Sequence, residues 1–350
     1  MQTILVTGGT GFIGSHTCLA LLNAGFDIIV LDSFINSSEK VLDRIFKLSN
    51  IKDSDKSRRI KLYKGDVRDL AILQLIFKEA ESQDKPVVCV IHFAGLKVVA
   101  QSNIFPLDYW DVNVCGTINL LKVMEKFHCN NFVFSSSASV YGKNNNNPKE
   151  NFSTKPINTY GKTKLAVEEI LNNIYKASPK KWKIVVLRYF NPIGAHDSGL
   201  LGEDPLNEIT NIFPDICKVA LGKKKFFSIF GNNWPTPDGT GVRDYIHVMD
   251  LADGHIAAMN YIFENENQIR YFNLGTGIGT SVLDLIKAFE KSNSCLVPYK
   301  FSDRRKGDVA SLVAHNQLAI TKLNWSPRRN IKQMCIDTWN WYLKNPNGYE

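Results

Sequence analysis

Short apolar runs and longer amphipathic stretches alternate along most of the 350 residues. Residues 1–7 read as a buried strand, residues 8–14 as a glycine-rich turn, and residues 15–23 as a helix that Gly25 stops. Further strands are predicted at residues 27–31, 61–63, 87–93, 131–135, 184–189 and 271–274. Helical spacing is predicted at residues 70–81, 109–127, 162–177, 251–262 and 282–291. Strand, helix and strand in repeated succession is the βαβ unit, so the expected fold is an α/β, doubly wound parallel sheet.

Residues 194–240 break this rhythm with Gly, Pro and Asn around short patterned pieces, which predicts a second, smaller unit of loops and short elements. The return to a strand at Tyr271 predicts that the two units interleave. We expect a dinucleotide domain over residues 1–190, with returning segments near 240–290, and a mainly substrate-binding domain over residues 191–350. The asparagine run at residues 144–147, before Pro148, reads as an exposed loop insertion, and residues 223–225 as a solvated basic turn.

Composition narrows the classes. The net charge is +8, but Lys and Arg are dispersed, which argues against nucleic acid and suits a small anionic ligand. The apolar runs are far shorter than the ~20 residues of a membrane span, and residue 1 leads straight into a strand pattern with no secretory leader, so a cytosolic location and no membrane partner are expected. Seven cysteines without C-x-x-C pairs indicate buried thiols in a reducing compartment and no metal site.

Gly8, Gly11 and Gly14 lie between the first strand and first helix, where missing side chains let backbone N–H groups approach a pyrophosphate. A tight turn without a ligand is the alternative. Asp32, ending the second strand, suits the ribose hydroxyls of NAD rather than the extra phosphate of NADP, or serves as a turn aspartate. Asp66 could receive an adenine amino group or cap the following helix. Tyr160 and Lys164 stand four apart, on one face of a helix, so the ammonium can depress the phenol pKa and make a general base. The plainer reading packs Tyr160 and leaves Lys164 in solvent. Ser137 ends a strand of three serines and could hold a reacting hydroxyl.

At this point the chain resembles the UDP-glucose 4-epimerase family of extended short-chain dehydrogenases with a Rossmann fold. The likeness is carried by residues 7–14, 92–97 (HFAGLK), 135–142, 160–164 (YGKTK), 188–196 and 239–255, with 241–248 (GVRDYIHV) the most selective piece. The resemblance implies NAD that stays bound, catalysis by Ser137, Tyr160 and Lys164, and a 4-ketosugar that turns over in the pocket before hydride returns to its opposite face. It assigns Phe12, Ile13, Asn36, Val67, Phe93, Ala94, Lys97, Asn113 and Tyr189 to the cofactor side, beside the glycines, Asp32 and Asp66. It assigns Lys97, Asn191, Asn211, Ile212, Ser228, Phe230, Arg243, Tyr245, Arg305, Asp308 and Leu312 to the substrate, with the arginines suited to a diphosphate. Read singly, Arg243 and Arg305 are equally ordinary surface arginines. His247 and His255 are expected to pack rather than bind metal. UDP-galactose and UDP-glucose are the implied substrates, and a homodimer is implied as well.

The chain departs from the family pattern at Leu312, where a tyrosine restricts the sugar pocket and a smaller residue admits N-acetylated sugars. UDP-N-acetylhexosamines therefore remain an alternative substrate class. A nucleotide-sugar 4,6-dehydratase would carry acidic residues where Ala138 and Ser139 stand. A noncatalytic NAD-binding protein would be free to lose the Tyr160, Lys164 and Ser137 set.

Overall fold

A computed structural model describes residues 1–143, 147–206, 211–305 and 307–350. Asn144, Asn145 and Asn146, the centre of the expected insertion, lie outside the described residues. The strands are β1 (Thr3–Thr7), β2 (Asp27–Asp32), β3 (Ile60–Lys64), β4 (Val87–His92), β5 (Asn131–Ser137), β6 (Lys183–Tyr189), β7 (Asn191–Ile193), β8 (Phe227–Phe230), β9 (Val242–His247), β10 (Ile269–Leu274), β11 (Gly279–Ser281), β12 (Tyr299–Ser302) and β13 (Ser311–Leu312).

Seven of them form one parallel sheet in the order β10-β6-β5-β4-β1-β2-β3. β1 and β2 are buried along their whole length, as the unbroken apolar runs require of a sheet covered on both faces. Alternate residues feed two cores. Ile4, Val6, Ile28 and Val30 pack with the helices Phe12–Asn23 and Val248–Glu264, while Leu5, Ile29 and Leu31 pack with Leu70–Ser82, Gly116–Lys126 and Thr159–Ala177. The fold class read from the pattern is the one observed.

β7, β9, β11 and β13 make a second sheet, and β8 pairs with β12. A separate core built on Phe213, Tyr245 and Phe289 lies beneath them. The chain then returns to the large sheet, where β10 pairs along the outer edge of β6. One predicted helix is broken, and one helix was not predicted. The stretch 109–127 is broken by a wider turn over Asp111–Cys115, between the helices Pro106–Trp110 and Gly116–Lys126; such inserted turns break the 3.6 periodicity that favoured one helix. Helix Ile331–Lys344 was not anticipated, although Met334, Cys335, Thr338 and Trp341 supply a buried stripe at helical spacing.

One buried ion pair fixes helix Thr159–Ala177 to the sheet. Arg188 on β6 donates to both Glu168 oxygens, at 3.0 and 2.6 Å, and Ser136 of β5 donates to the same carboxylate at 2.5 Å. Breaking such a pair from one side strands a charge, at about 3–5 kcal/mol. Glu168→Ala is expected to lose that much stability in urea titrations; a loss under about 1 kcal/mol would mean that the pair does not anchor the helix.

Candidate active site

The site lies at the carboxyl ends of the parallel strands, where β1, β4, β5 and β6 open toward the second sheet. Gly8 has φ +71°, and a Cβ there would stand 2.7 Å from Ala94 N. At Gly14 a Cβ would stand 2.2 Å from Gly8 O, so only glycine lets the turn fold back on its helix. Gly11 precedes the first helical residue, Phe12, with Ile13 beside it. Phe93 and Ala94, just past β4, donate their N–H groups to Thr7 O. Asp32 accepts from Thr10 N–H, Phe34 N–H and Ser37 Oγ at 3.0 Å each, so it braces the turn while retaining acceptor capacity. Asn36 and Lys97 line the same cleft as Gly11.

Asp66 is bound by Arg68, which also reaches Asp111 at 2.7 Å, and Val67 beside it is buried against Gly116. The alternative that Asp66 caps the next helix is corrected: Asp69 does so, accepting from Ala71 N–H and Ile72 N–H. Asn113 sits in the wider turn, and its amide brackets Leu96, accepting from its N–H at 2.7 Å and donating to its carbonyl at 3.1 Å. It thereby holds the residue before Lys97.

The helix carrying Tyr160 begins three residues earlier than predicted, at Thr159. Its first N–H groups are satisfied from outside. Asn158 Oδ1 accepts from Gly161 at 2.7 Å, Ser102 Oγ from Tyr160 at 3.1 Å, and Asn103 Oδ1 from Thr159 at 3.2 Å. Tyr160 and Lys164 therefore do share a face of one helix. Lys164 is only 5% exposed, which rules out the solvated lysine of the plainer reading. Its Nζ donates to Ser135 O at 2.8 Å and stands 5.9 Å from the Tyr160 ring centre.

Burial lowers the Lys164 ammonium from 10.5 to about 8, against the pull of Glu168. Burial also raises the Tyr160 phenol above its usual value, and a hydrogen bond with Ser137 offsets part of the rise. In the protein alone desolvation of the phenolate is the larger effect, so the phenol stands above its usual value although the Lys164 ammonium is close by. Ser137, paired in register with Tyr189, also hydrogen-bonds Ser139 at 3.1 Å. Tyr189 ends β6, and its hydroxyl is hydrogen-bonded to His255. His247 bonds Asp337 at 3.1 Å.

Asn191, Arg243, Tyr245 and Leu312 of the residues assigned to the substrate lie on the second sheet, and the others lie on β8 or on neighbouring loops and helix ends. Arg243 stands opposite Leu312 in the β9–β13 register, and Asn191 opposite Tyr245 in β7–β9. Arg243 lies 4.0 Å from Asp308, and the Arg305 guanidinium stacks 3.7 Å over Phe230. Ser228 sits on β8 near Phe230, and Asn211 immediately precedes Ile212 at the start of a helix. Glu203 was missed by sequence reasoning. It is buried and receives Asn211, eight residues on, and at 3.4 Å Lys97, which is 106 residues away in the sequence.

The fold and this site define an extended short-chain dehydrogenase-type enzyme, and the family described as GDP-mannose 4,6 dehydratase matches residues 5–338. The chain is 49% identical to UDP-glucose 4-epimerase 2 of Oryza sativa subsp. japonica over 100% of its length and 84% of that protein's. It is 49% identical to UDP-glucose 4-epimerase of Pasteurella multocida, over 99% of both chains. Among solved structures, UDP-glucose 4-epimerase from Bifidobacterium longum in complex with NAD+ and UDP superposes with a TM-score of 0.92 at 45% identity, covering 99% of this chain and 100% of that one. The chain belongs to the UDP-glucose 4-epimerase family.

The Lys164 shift has a definite sign. Between about pH 8 and 10.5 the unfolded chain holds a proton that the folded chain has released, so stability contributed by this residue rises with pH across that window. Relative to Lys164→Met, the unaltered chain is expected to gain on the order of 3 kcal/mol there. Urea midpoints of both chains measured every half pH unit check this; parallel curves would refute the buried ammonium.

Proposed function

We propose that this chain interconverts UDP-galactose and UDP-glucose through a 4-ketosugar, with NAD held at the glycine-rich turn. The observation that carries the reading is that Ser137 and Tyr160, with Lys164 buried behind them, face the same strand ends as a turn that tolerates only glycine. That cradle fits a pyrophosphate: the first N–H groups of helix Phe12–Asn23 point out of the turn, with the positive end of its dipole. Gly8, Gly11, Phe12, Ile13, Gly14, Asp32, Asn36, Asp66, Val67, Phe93, Ala94, Lys97, Asn113 and Tyr189 would hold the cofactor. When bound, NAD supplies the hydride acceptor and a positive nicotinamide.

Tyr160 acts as the base that takes the proton from the sugar 4-hydroxyl, and Ser137 holds that hydroxyl. Burial raises the phenol, so a positive nicotinamide would add to Lys164 in favouring the phenolate. Arg243, Arg305 and Asp308, with Asn191, Asn211, Ile212, Ser228, Phe230, Tyr245 and Leu312, receive the UDP-sugar. In this reading residues 1–190, with the returning segments near 240–290, serve the cofactor, and residues 191–350 mainly serve the nucleotide sugar. Elimination of water is disfavoured because Ala138 and Ser139 stand where a dehydratase would carry acidic residues.

The same reading includes a cytosolic homodimer. Seven free thiols support a reducing compartment, and no helix among the described residues is long and apolar enough to cross a membrane. Ile104, Phe105 and Leu107 are 67, 56 and 79% exposed on and between the short helices Val99–Ile104 and Pro106–Trp110, which pack beside Thr159–Ala177 and offer an apolar face suited to a second copy.

Proton NMR of the purified chain with UDP-galactose and no added NAD is expected to show UDP-glucose growing to a fixed ratio. Tyr160→Phe is expected to slow this by about 10²- to 10⁴-fold, the usual worth of a general base, while retaining NAD; undiminished turnover would remove Tyr160 from the mechanism. Leu107→Arg is expected to shift sedimentation toward a monomer, and an unchanged profile would exclude this face from the dimer.

A further inference from the structure

Residues 202–204 form a strap across the glycine-rich turn. Gly11, Phe12 and Lys97 line a narrow cleft together with Gly202, Glu203 and Tyr349. The strap makes no strand or helix of its own, and it is held from behind by the segment that follows residue 340. Tyr349 is buried, and its hydroxyl donates to Gly202 O at 2.7 Å and accepts from Gly202 N–H at 3.0 Å. Its own N–H donates to Asp204 Oδ2 at 3.0 Å. Trp341 Nε1 and the Tyr342 hydroxyl both donate to Glu203 O, at 3.1 and 3.0 Å.

The clamp tolerates little change. A Cβ on Gly202 would stand 2.4 Å from the Trp341 ring, and one on Gly348 would stand 2.2 Å from the Asp204 carboxylate. With its backbone fixed, Glu203 has one place for its carboxylate, between Asn211 Nδ2 and Lys97 Nζ. Those partners come from opposite halves of the site. Lys97 follows β4 beside the glycine turn, and Asn211 opens the helix Ile212–Ala220 of the second unit.

We propose that Tyr349 is a positioning residue that locks the 202–204 strap, so that Glu203 ties Lys97 on the cofactor side to Asn211 on the nucleotide side and couples retention of NAD to binding of UDP. The inference rests on the functional reading above. A single hydroxyl joins the N–H and C=O of Gly202, so its loss loosens that end of the strap while the bonds from Trp341 and Tyr342 to Glu203 O remain, and it removes no side chain that the functional reading assigns to either ligand. The Glu203 carboxylate is then held less firmly, and both of its partners are oriented less well.

The test uses the NAD-loaded chain and three variants, Tyr349→Phe, Tyr349→Ala and Glu203→Gln. Hydrogen exchange over residues 199–206, the rate of NAD loss after desalting, and UDP affinity by calorimetry are measured on each. Tyr349→Phe is expected to speed exchange in the strap, release NAD about five- to tenfold faster and weaken UDP by a similar factor, the worth of one or two hydrogen bonds. Tyr349→Ala should exceed it in all three. Glu203→Gln is expected to weaken both ligands with exchange unchanged, because the strap stays clamped. Faster exchange with NAD and UDP bound as in the unaltered chain would overturn the coupling, as would a Glu203→Gln chain indistinguishable from it. An unaltered chain that binds both ligands but turns over no UDP-galactose would overturn the functional reading and leave this coupling standing; one that binds neither overturns both.

Discussion

Arg188 and Glu168 form the contact on which the site depends. The pair is buried, and its partners belong to every element that must stay in register: Ser136 of β5, the helix Thr159–Ala177 through Glu168 itself, and Tyr141 through its hydroxyl at 2.9 Å. Tyr141 passes the connection on to Asn273 of β10 at 2.7 Å. A hydrophobic contact at this place would bury as much area but would let the helix slide or turn. A bidentate guanidinium–carboxylate pair fixes direction as well as distance. Four residues before Glu168 on that helix stands Lys164, and four before that stands Tyr160, so the chemistry inherits the rigidity of the pair.

Electrostatics then decide how the site works. Burying Lys164 against Ser135 O and the Phe134 ring keeps its ammonium close to Tyr160 but also weakens it. The same enclosure raises Tyr160 and drives Tyr189 higher still. His255, hydrogen-bonded to Tyr189, is lowered by burial to about 4 and stays neutral at physiological pH. Tyr160, Tyr189 and His255 are thus kept from ionising beside a weakened Lys164 ammonium, and a ligand that brings positive charge changes the balance there more than it could in a polar pocket.

The parallel sheet was legible because its strands are buried on both faces and their apolar runs stand without interruption. The glycine turn and the Tyr160–Lys164 pair were legible because each is written within one turn of chain. What escaped was built from distant partners: Glu203 with Lys97, Tyr189 with His255, Gly202 with Tyr349, separated by 106, 66 and 147 residues. The short strands β7, β11 and β13 have two or three residues each, too few for any periodicity to show. The extent of burial at Tyr160 and Lys164 also escaped, since spacing reports that a cation is near and says nothing of how far either group is dehydrated.

The strand order has a consequence for how the chain is made. β6 is the last-formed neighbour of β5, yet its outer edge is covered only by β10, which begins 80 residues after β6 ends. During synthesis from the amino end, six strands can assemble while β7, β8 and β9 are still being added, leaving β6 as an unpaired edge beside residues destined for another sheet. For that interval the nascent protein exposes an apolar strand open to wrong pairing, and the yield of active molecules from the ribosome depends on how quickly translation reaches residue 274.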